Sequence, residues 1–147
     1  MDKPWFHIYG AVYLLFVREG KLLMLRRTNT GYEDGKFSLV AGKLDGGEEV
    51  KQAAIREAEE EIGIRLHPDN LEVVLVMHRM SDSGEWVDFF LRVNAWEGEP
   101  FNNEPEKCSE MAWFPLEILP DATIPHVRQA ISRIREGVVY DSFGWDI

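Results

Sequence analysis

Apolar and polar positions alternate in short blocks along this chain, separated by turn residues. IYGAVYLLFV (8–17) is apolar and β-rich, REGK supplies a turn, and LLMLRR resumes the pattern, which predicts a hairpin. TNTGYEDGK (28–36) reads as a polar loop leading to a short strand at FSLV. After the glycine-rich turn GKLDGGEE the period changes. Ile55, Ala58 and Ile62 recur at i, i+3 and i+7, which predicts a helix from about Glu48 to Ile62, stopped near Gly63. LEVVLVMHRM and EWVDFFLRVNAW are strands joined by SDSG in a second hairpin. WEGEPFNNEPEKCSE is an acidic loop, MAWF a closing strand, and PHVRQAISRIRE an amphipathic terminal helix. Mostly hairpin-connected strands with one helix in the middle and one at the end predict an α/β fold. A mixed sheet with helices on its two faces satisfies that order.

Length and charge narrow the picture. With 147 residues, one domain spanning 1–147 is expected. A net charge of −10 argues against nucleic acid or an anionic membrane as partner. It leaves room for a small polyanionic substrate, because a bound divalent cation reverses the local field. The lone Cys108 excludes an intramolecular disulfide and reads as a small buried hydrophobe. MDKPWFHIYG has no basic region followed by an apolar run, and no long apolar segment follows, so a cytoplasmic protein is expected. The tail VVYDSFGWDI (138–147) carries three aromatics in its last eight residues. It is expected to dock on the domain or on a partner subunit, and monomer and homodimer both stay open.

REAEEEIG (56–63) is the chemically unusual stretch. Four glutamates fall within five positions, and like charges three or four apart on a helix repel. At about 100° per residue, Glu57, Glu60 and Glu61 share an arc of about 100° beside the apolar stripe, while Glu59 points away. Hard cations such as Mg²⁺ take oxygen ligands of this kind. A solvated acidic face is the competing reading. The preceding glycines, Gly42 and Gly46–Gly47, allow close backbone approach to a ligand, and the helix N-terminus offers free N–H groups to an anion.

Gly42, five residues, Glu48, seven residues, then Arg56-Glu57-Ala58-Glu59-Glu60-Glu61-Ile62-Gly63-Ile64 matches all nine specified positions of the Nudix hydrolase signature across 23 residues. On this segment the chain resembles the Nudix hydrolases. The resemblance implies their α/β/α sandwich, with a central mixed sheet, the box helix on one face and the C-terminal helix on the other, over a core of about 6–137. It implies Mg²⁺, with Mn²⁺ as a substitute, and a nucleotide substrate cleaved at a phosphoanhydride. It also implies metal binding by Glu57, Glu60 and Glu61 with the Gly42 carbonyl, and a Glu48–Arg56 pair bracing loop against helix. WEGEPFNNE is similar to a loop of the MutT-like branch, which makes Glu104 a further metal ligand; an exposed loop carboxylate is the alternative. Arg26 matches that branch's phosphate-contacting arginine, and Arg27 should point to the opposite sheet face. Glu57 is the favoured general base, with Glu60, Glu61 and Arg26 completing the catalytic set.

Substrate residues are less legible. The branch resemblance places the nucleobase near ATIPHVR, so Thr123, Ile124 and His126 are candidates, though His126 also reads as an exposed helix-start residue. Trp86, Asp88 and Phe90 alternate on one strand face and could wall the site together with Tyr9 or Tyr13; plain core packing is the alternative. HRMSD lacks the proline of ADP-ribose members, and the tyrosine of dinucleoside-polyphosphate members is also missing. A nucleoside triphosphate cleaved to monophosphate and pyrophosphate is therefore expected. ADP-ribose, a nucleotide sugar or another nucleoside-diphosphate derivative is the alternative substrate, and a non-catalytic nucleotide-binding module the alternative role. Val40-Ala41 stands before Gly42 where the family usually has Pro-Gly or Pro-Ala, a departure that bears on substrate placement.

Overall fold

The computed structural model describes residues 4–146, so residues 1–3 and Ile147 of the expected 1–147 domain lie outside the described residues. The first strand, β1 (Tyr9–Leu15), is buried along most of its length because both of its faces are covered. Val12 and Leu14 enter one core cluster, while Ala11, Tyr13 and Leu15 enter another. Its continuous apolar sequence is the signature of that two-sided burial.

Strands β5 (Val40–Lys43), β7 (Gly84–Val93), β6 (Leu71–Ser81) and β9 (Tyr140–Phe143) join β1 in a five-stranded mixed sheet ordered β5-β1-β7-β6-β9. β1 runs parallel to β7 and antiparallel to β5. A second sheet holds β2 (Val17–Arg18), β3 (Lys21–Arg27) and β4 (Phe37–Ser38), with β8 (Cys108–Pro115) paired on β3. The first predicted hairpin is correspondingly smaller than its sequence suggests. Only Val17–Arg18 pairs with Lys21–Leu22, across a turn in which Glu19 and Gly20 both take positive φ, because β1 and β3 belong to different sheets.

Helix α1 (Val50–Ile62) begins two residues after the predicted start, at a capping box. The Glu49 carboxylate accepts from the Lys51 N–H, and the Gln52 side chain accepts from the Glu49 N–H. Gly63 ends it in the left-handed conformation, φ 68°. Ala53, Ala54, Ala58 and Ile62 pack into the cluster fed by Val12 and Leu14. Helix α2 (Pro125–Arg135) buries His126, Val127, Ala130, Ile131 and Ile134, and its apolar residues join the opposite cluster. The α/β/α layering follows, with one helix against each face of the mixed sheet.

The tail docks on its own domain. β9 adds to β6 in parallel, Asp141 accepts from Gln129 and Arg133 of α2, and the Trp145 indole donates to the His78 carbonyl. Among the described residues no helix is long and apolar enough to cross a membrane.

Candidate active site

The box loop and α1 meet at Gly42. A Cβ there would stand 2.1 Å from the Glu57 carboxylate carbon, so the carboxylate lies flat against the backbone of β5. Contact, not conformation, demands the glycine: Gly42 is absent from the described residues with positive φ. Arg56 ties this arrangement together. Its Nε and Nη2 donate to Glu48 at 3.2 and 2.7 Å, Nη1 donates to Glu57 at 2.7 Å, and Nη2 reaches the Lys43 carbonyl at 3.2 Å. The Arg56 guanidinium holds Glu48 below the usual carboxylate range.

One turn on, Glu61 accepts from the Ala41 N–H at 3.1 Å. Burial pushes the Glu61 carboxyl well above its ordinary value, and the neighbouring Glu57 charge pushes it further. Burial raises Glu57 too, against the pull of Glu61 and Arg56. Glu60 is more exposed, with one oxygen 3.5 Å from Arg56. Glu59 points away, as the helix period predicts, toward Arg65 at 3.5 Å.

Glu104 reaches the site through a device that the sequence does not advertise. The C-terminal carbonyls of α1 are capped by the acidic loop: Phe101 N donates to Ile62, Asn103 N to Glu61, and the Asn103 side chain to Glu60. These are the acceptors that a helix end leaves unsatisfied. The capping fixes the loop beside the helix and sets Glu104 in the wall of the same cavity.

That cavity, about 580 Å³, also takes in Arg26, Arg27 and Lys107. Arg27 is a correction. Strand alternation would send it to the far face, yet it lines the same cavity as Arg26, at the point where the register of β3 on β8 slips between the two. Arg26 donates to the Gly35 carbonyl and Arg27 to Tyr32, each held by the loop at 28–36.

Of the expected base contacts and walls, Trp86, Ile124 and Tyr13 line the cavity. Tyr9, Asp88, Thr123 and His126 do not. Tyr9 is exposed and leans on Trp86 from outside, with ring centroids 4.9 Å apart. Asp88 is wholly buried against Arg79, and Thr123 spends its hydroxyl on the Pro120 carbonyl. His126, read as an exposed helix-start residue, is buried and hydrogen-bonded to the Tyr13 hydroxyl at 2.9 Å. Burial, reinforced by Arg79, brings its pKa down to about 3. Phe90 is core, stacked on Tyr13. Tyr32, Arg79 and Lys107 line the cavity without having been singled out in the sequence. For Arg79 a signal existed: a charged residue inside an apolar strand, opposite a strand that carries Asp88.

Hard oxygen donors facing a shared space suit a divalent ion of the Mg²⁺ or Mn²⁺ type. Burial is the main cause of the raised Glu57 and Glu61 carboxyls, and a cation bound among them would offset the cost of holding charge there. Among the described residues, no three acidic, histidine or cysteine side chains are gathered tightly enough to ligate one ion as they stand. Glu57 and Glu60 are drawn toward Arg56 instead.

Residues 7–134 match the NUDIX domain. The chain belongs to the Nudix family. It superposes on the MutT Nudix hydrolase of Burkholderia pseudomallei with a TM-score of 0.78 at 30% identity, covering 86% of this chain and 97% of that one. Among curated relatives, the 8-oxo-dGTP diphosphatase of Escherichia coli (strain K12) is 28% identical over 94 residues, 64% of this chain and 71% of that protein. The NAD-capped RNA hydrolase NudC of Stutzerimonas stutzeri (strain A1501) is 28% identical over 130 residues, 82% of this chain. This chain spans only 40% of that relative's length. The domain is thus a MutT-like Nudix hydrolase domain, of the class that opens phosphoanhydride bonds in nucleotide derivatives, and hydrolases of this family generally use a divalent metal.

Proposed function

We propose that this protein is a cytoplasmic, Mg²⁺-dependent pyrophosphohydrolase that cleaves a nucleoside triphosphate to the monophosphate and pyrophosphate. The observation that carries the reading is a single cavity lined by the carboxylates of α1 and the acidic loop, by Arg26, Arg27 and Lys107, and by the rings of Tyr13, Tyr32 and Trp86. Carboxylates for a cation, cations for phosphate and flat rings for a base are what a nucleotide requires along its length.

Glu57, Glu60, Glu61, Glu104 and the Gly42 carbonyl would hold the metal, which supplies charge screening and a more acidic bound water. Glu57 takes the proton of the attacking water. Its raised affinity for protons suits that role. The water oxygen bonds to phosphorus as the bridging P–O bond breaks, and the departing oxygen carries the electron pair away on the leaving group, which is pyrophosphate for attack at the α-phosphorus and the nucleoside monophosphate for attack at the β-phosphorus. Arg26 stabilises the charge that builds on the phosphoryl oxygens. Arg56, held by Glu48, keeps the α1 carboxylates in register with the loop.

The test is hydrolysis of a panel of canonical and modified nucleoside triphosphates, ADP-ribose and nucleotide sugars with Mg²⁺, then with chelator. Coupling to pyrophosphatase reports triphosphate cleavage, and coupling to phosphatase reports cleavage of capped diphosphates. Glu60→Gln should keep the fold and lose most turnover, whereas Glu59→Gln should match the parent. Full activity of Glu60→Gln at saturating Mg²⁺ would remove Glu60 from the site. Silence across the whole panel would leave a nucleotide-binding module instead.

A further inference from the structure

Arg79 is a charged side chain with only 4% of its surface exposed, carried on β6 three strands from β5. It is held rigidly. Nε donates to Asp88 at 2.6 Å and Nη2 at 3.1 Å, and the guanidinium centre lies 5.2 Å from the centroid of the Trp86 ring. Asp88 is fully buried and does not line the cavity. Among the described residues Nη1 has no hydrogen-bond partner, although the side chain lines the cavity. Nη1 is not among the described buried atoms left without a partner, so it reaches accessible space and is free to donate to something held in the cavity.

The position of Arg79 says what that something is. Three interstrand steps of about 4.8 Å place β6 roughly 14 Å across the sheet from β5, where the Glu57 and Glu61 carboxylates sit. The cavity between them also reaches Tyr32 and Trp86, rings on which a planar base can stack. Phosphate therefore belongs at the carboxylate side, and the base belongs at Arg79. Guanidinium stays protonated and can only donate. A base that turns a carbonyl oxygen to it gains a hydrogen bond. A base that turns an amino group to it sets donor against donor.

We propose that Arg79, positioned by Asp88, selects the substrate's base by requiring a carbonyl at the edge it faces, so that oxo bases (guanine, hypoxanthine, uracil, thymine) are taken over amino bases (adenine, cytosine). This rests on the nucleotide reading of the cavity and names the substrate class within it. The phosphate-side groups are common to all nucleotides and supply no such preference. Arg79 is the one cavity-lining cation on the mixed sheet's inner strands β1, β7 and β6, among the described residues.

The matched pairs IMP/AMP and UMP/CMP share shape and phosphate, and each exchanges a carbonyl for an amino group. Binding to the full chain is measured by calorimetry at one Mg²⁺ concentration. The oxo member of each pair should bind about tenfold more tightly, the lower end for a base-edge contact made through one open nitrogen. Replacing Arg79 alone strands a buried carboxylate, so the variant is the double change Arg79→Met with Asp88→Leu, checked for folding by circular dichroism. Its oxo preference should vanish. Equal affinities in the parent protein, tighter binding of the amino members, or a preference that survives in the folded double variant would each overturn the assignment, and the parent comparison decides even where the variant does not fold. Oxo-selective binding without turnover of ITP or UTP would sustain Arg79's role and defeat the hydrolase reading. Absence of binding by every nucleotide would defeat both.

Discussion

Replacing Gly42 by alanine puts the proposed catalytic geometry under direct strain while sparing the fold. The new Cβ would lie 2.1 Å from the Glu57 carboxylate carbon and from one of its oxygens. Relief to the 3.4 Å of ordinary contact requires a shift of about 1.3 Å. The cheapest element to move is the end of the Glu57 side chain, since the strand backbone is pinned by its ladder to β1. Because Gly42 is not in a left-handed conformation, alanine suits its backbone, and reduced freedom in the unfolded chain offsets the contact by about 0.4–1 kcal/mol. The melting temperature should therefore change little. Activity should not: a misplacement of about 1 Å at a reacting group costs on the order of 100-fold. Steady-state hydrolysis with pyrophosphatase coupling, alongside thermal melting by circular dichroism, separates the two effects. Parent-like kcat/KM in the alanine variant would falsify the requirement for Glu57 against the strand. A collapse of the melting temperature would show that the glycine serves the fold instead.

Two further outcomes follow from the same neighbourhood and from the opposite core. Arg56→Lys keeps a positive charge, but one ammonium cannot replace a guanidinium that spans Glu48, Glu57 and the Lys43 carbonyl. Turnover should fall at least tenfold with little change in melting, and a kcat within twofold of the parent would dismiss the brace. His126 is held neutral, with a folded pKa of about 3 against an ordinary value near 6.5. The unfolded chain takes up the proton first on acidification, so stability falls as pH drops from about 6.5 toward 3, by at most about 1.4 kcal/mol per pH unit. Denaturant melts of His126→Gln, which can still bond the Tyr13 hydroxyl, should lack that contribution; identical slopes for the two proteins would contradict it.

Much of this protein is decided along contiguous stretches of chain. The spacing from Gly42 to Ile64, the separation of Glu59 from its neighbours, and the ends of α1 all follow from the 3.6-residue period and from caps that involve residues a few positions apart. The α/β/α order follows from apolar runs and turns in the same way. Tertiary structure decided the rest. Arg27 lines the cavity against simple alternation, at a slip in the register of β3 on β8, a strand some eighty residues downstream. Glu104 joins the carboxylates because Phe101 and Asn103 cap the end of a helix forty residues earlier. Arg79 becomes a fixed donor only when β6 and β7 pair and bury Asp88 beside it. His126 changes from an exposed reading to a buried one once α2 packs on Tyr13. Local periodicity sets which face a side chain takes within its own element. Register between distant strands, desolvation and the capping of another element's open carbonyls depend on residues that meet only after the chain has folded.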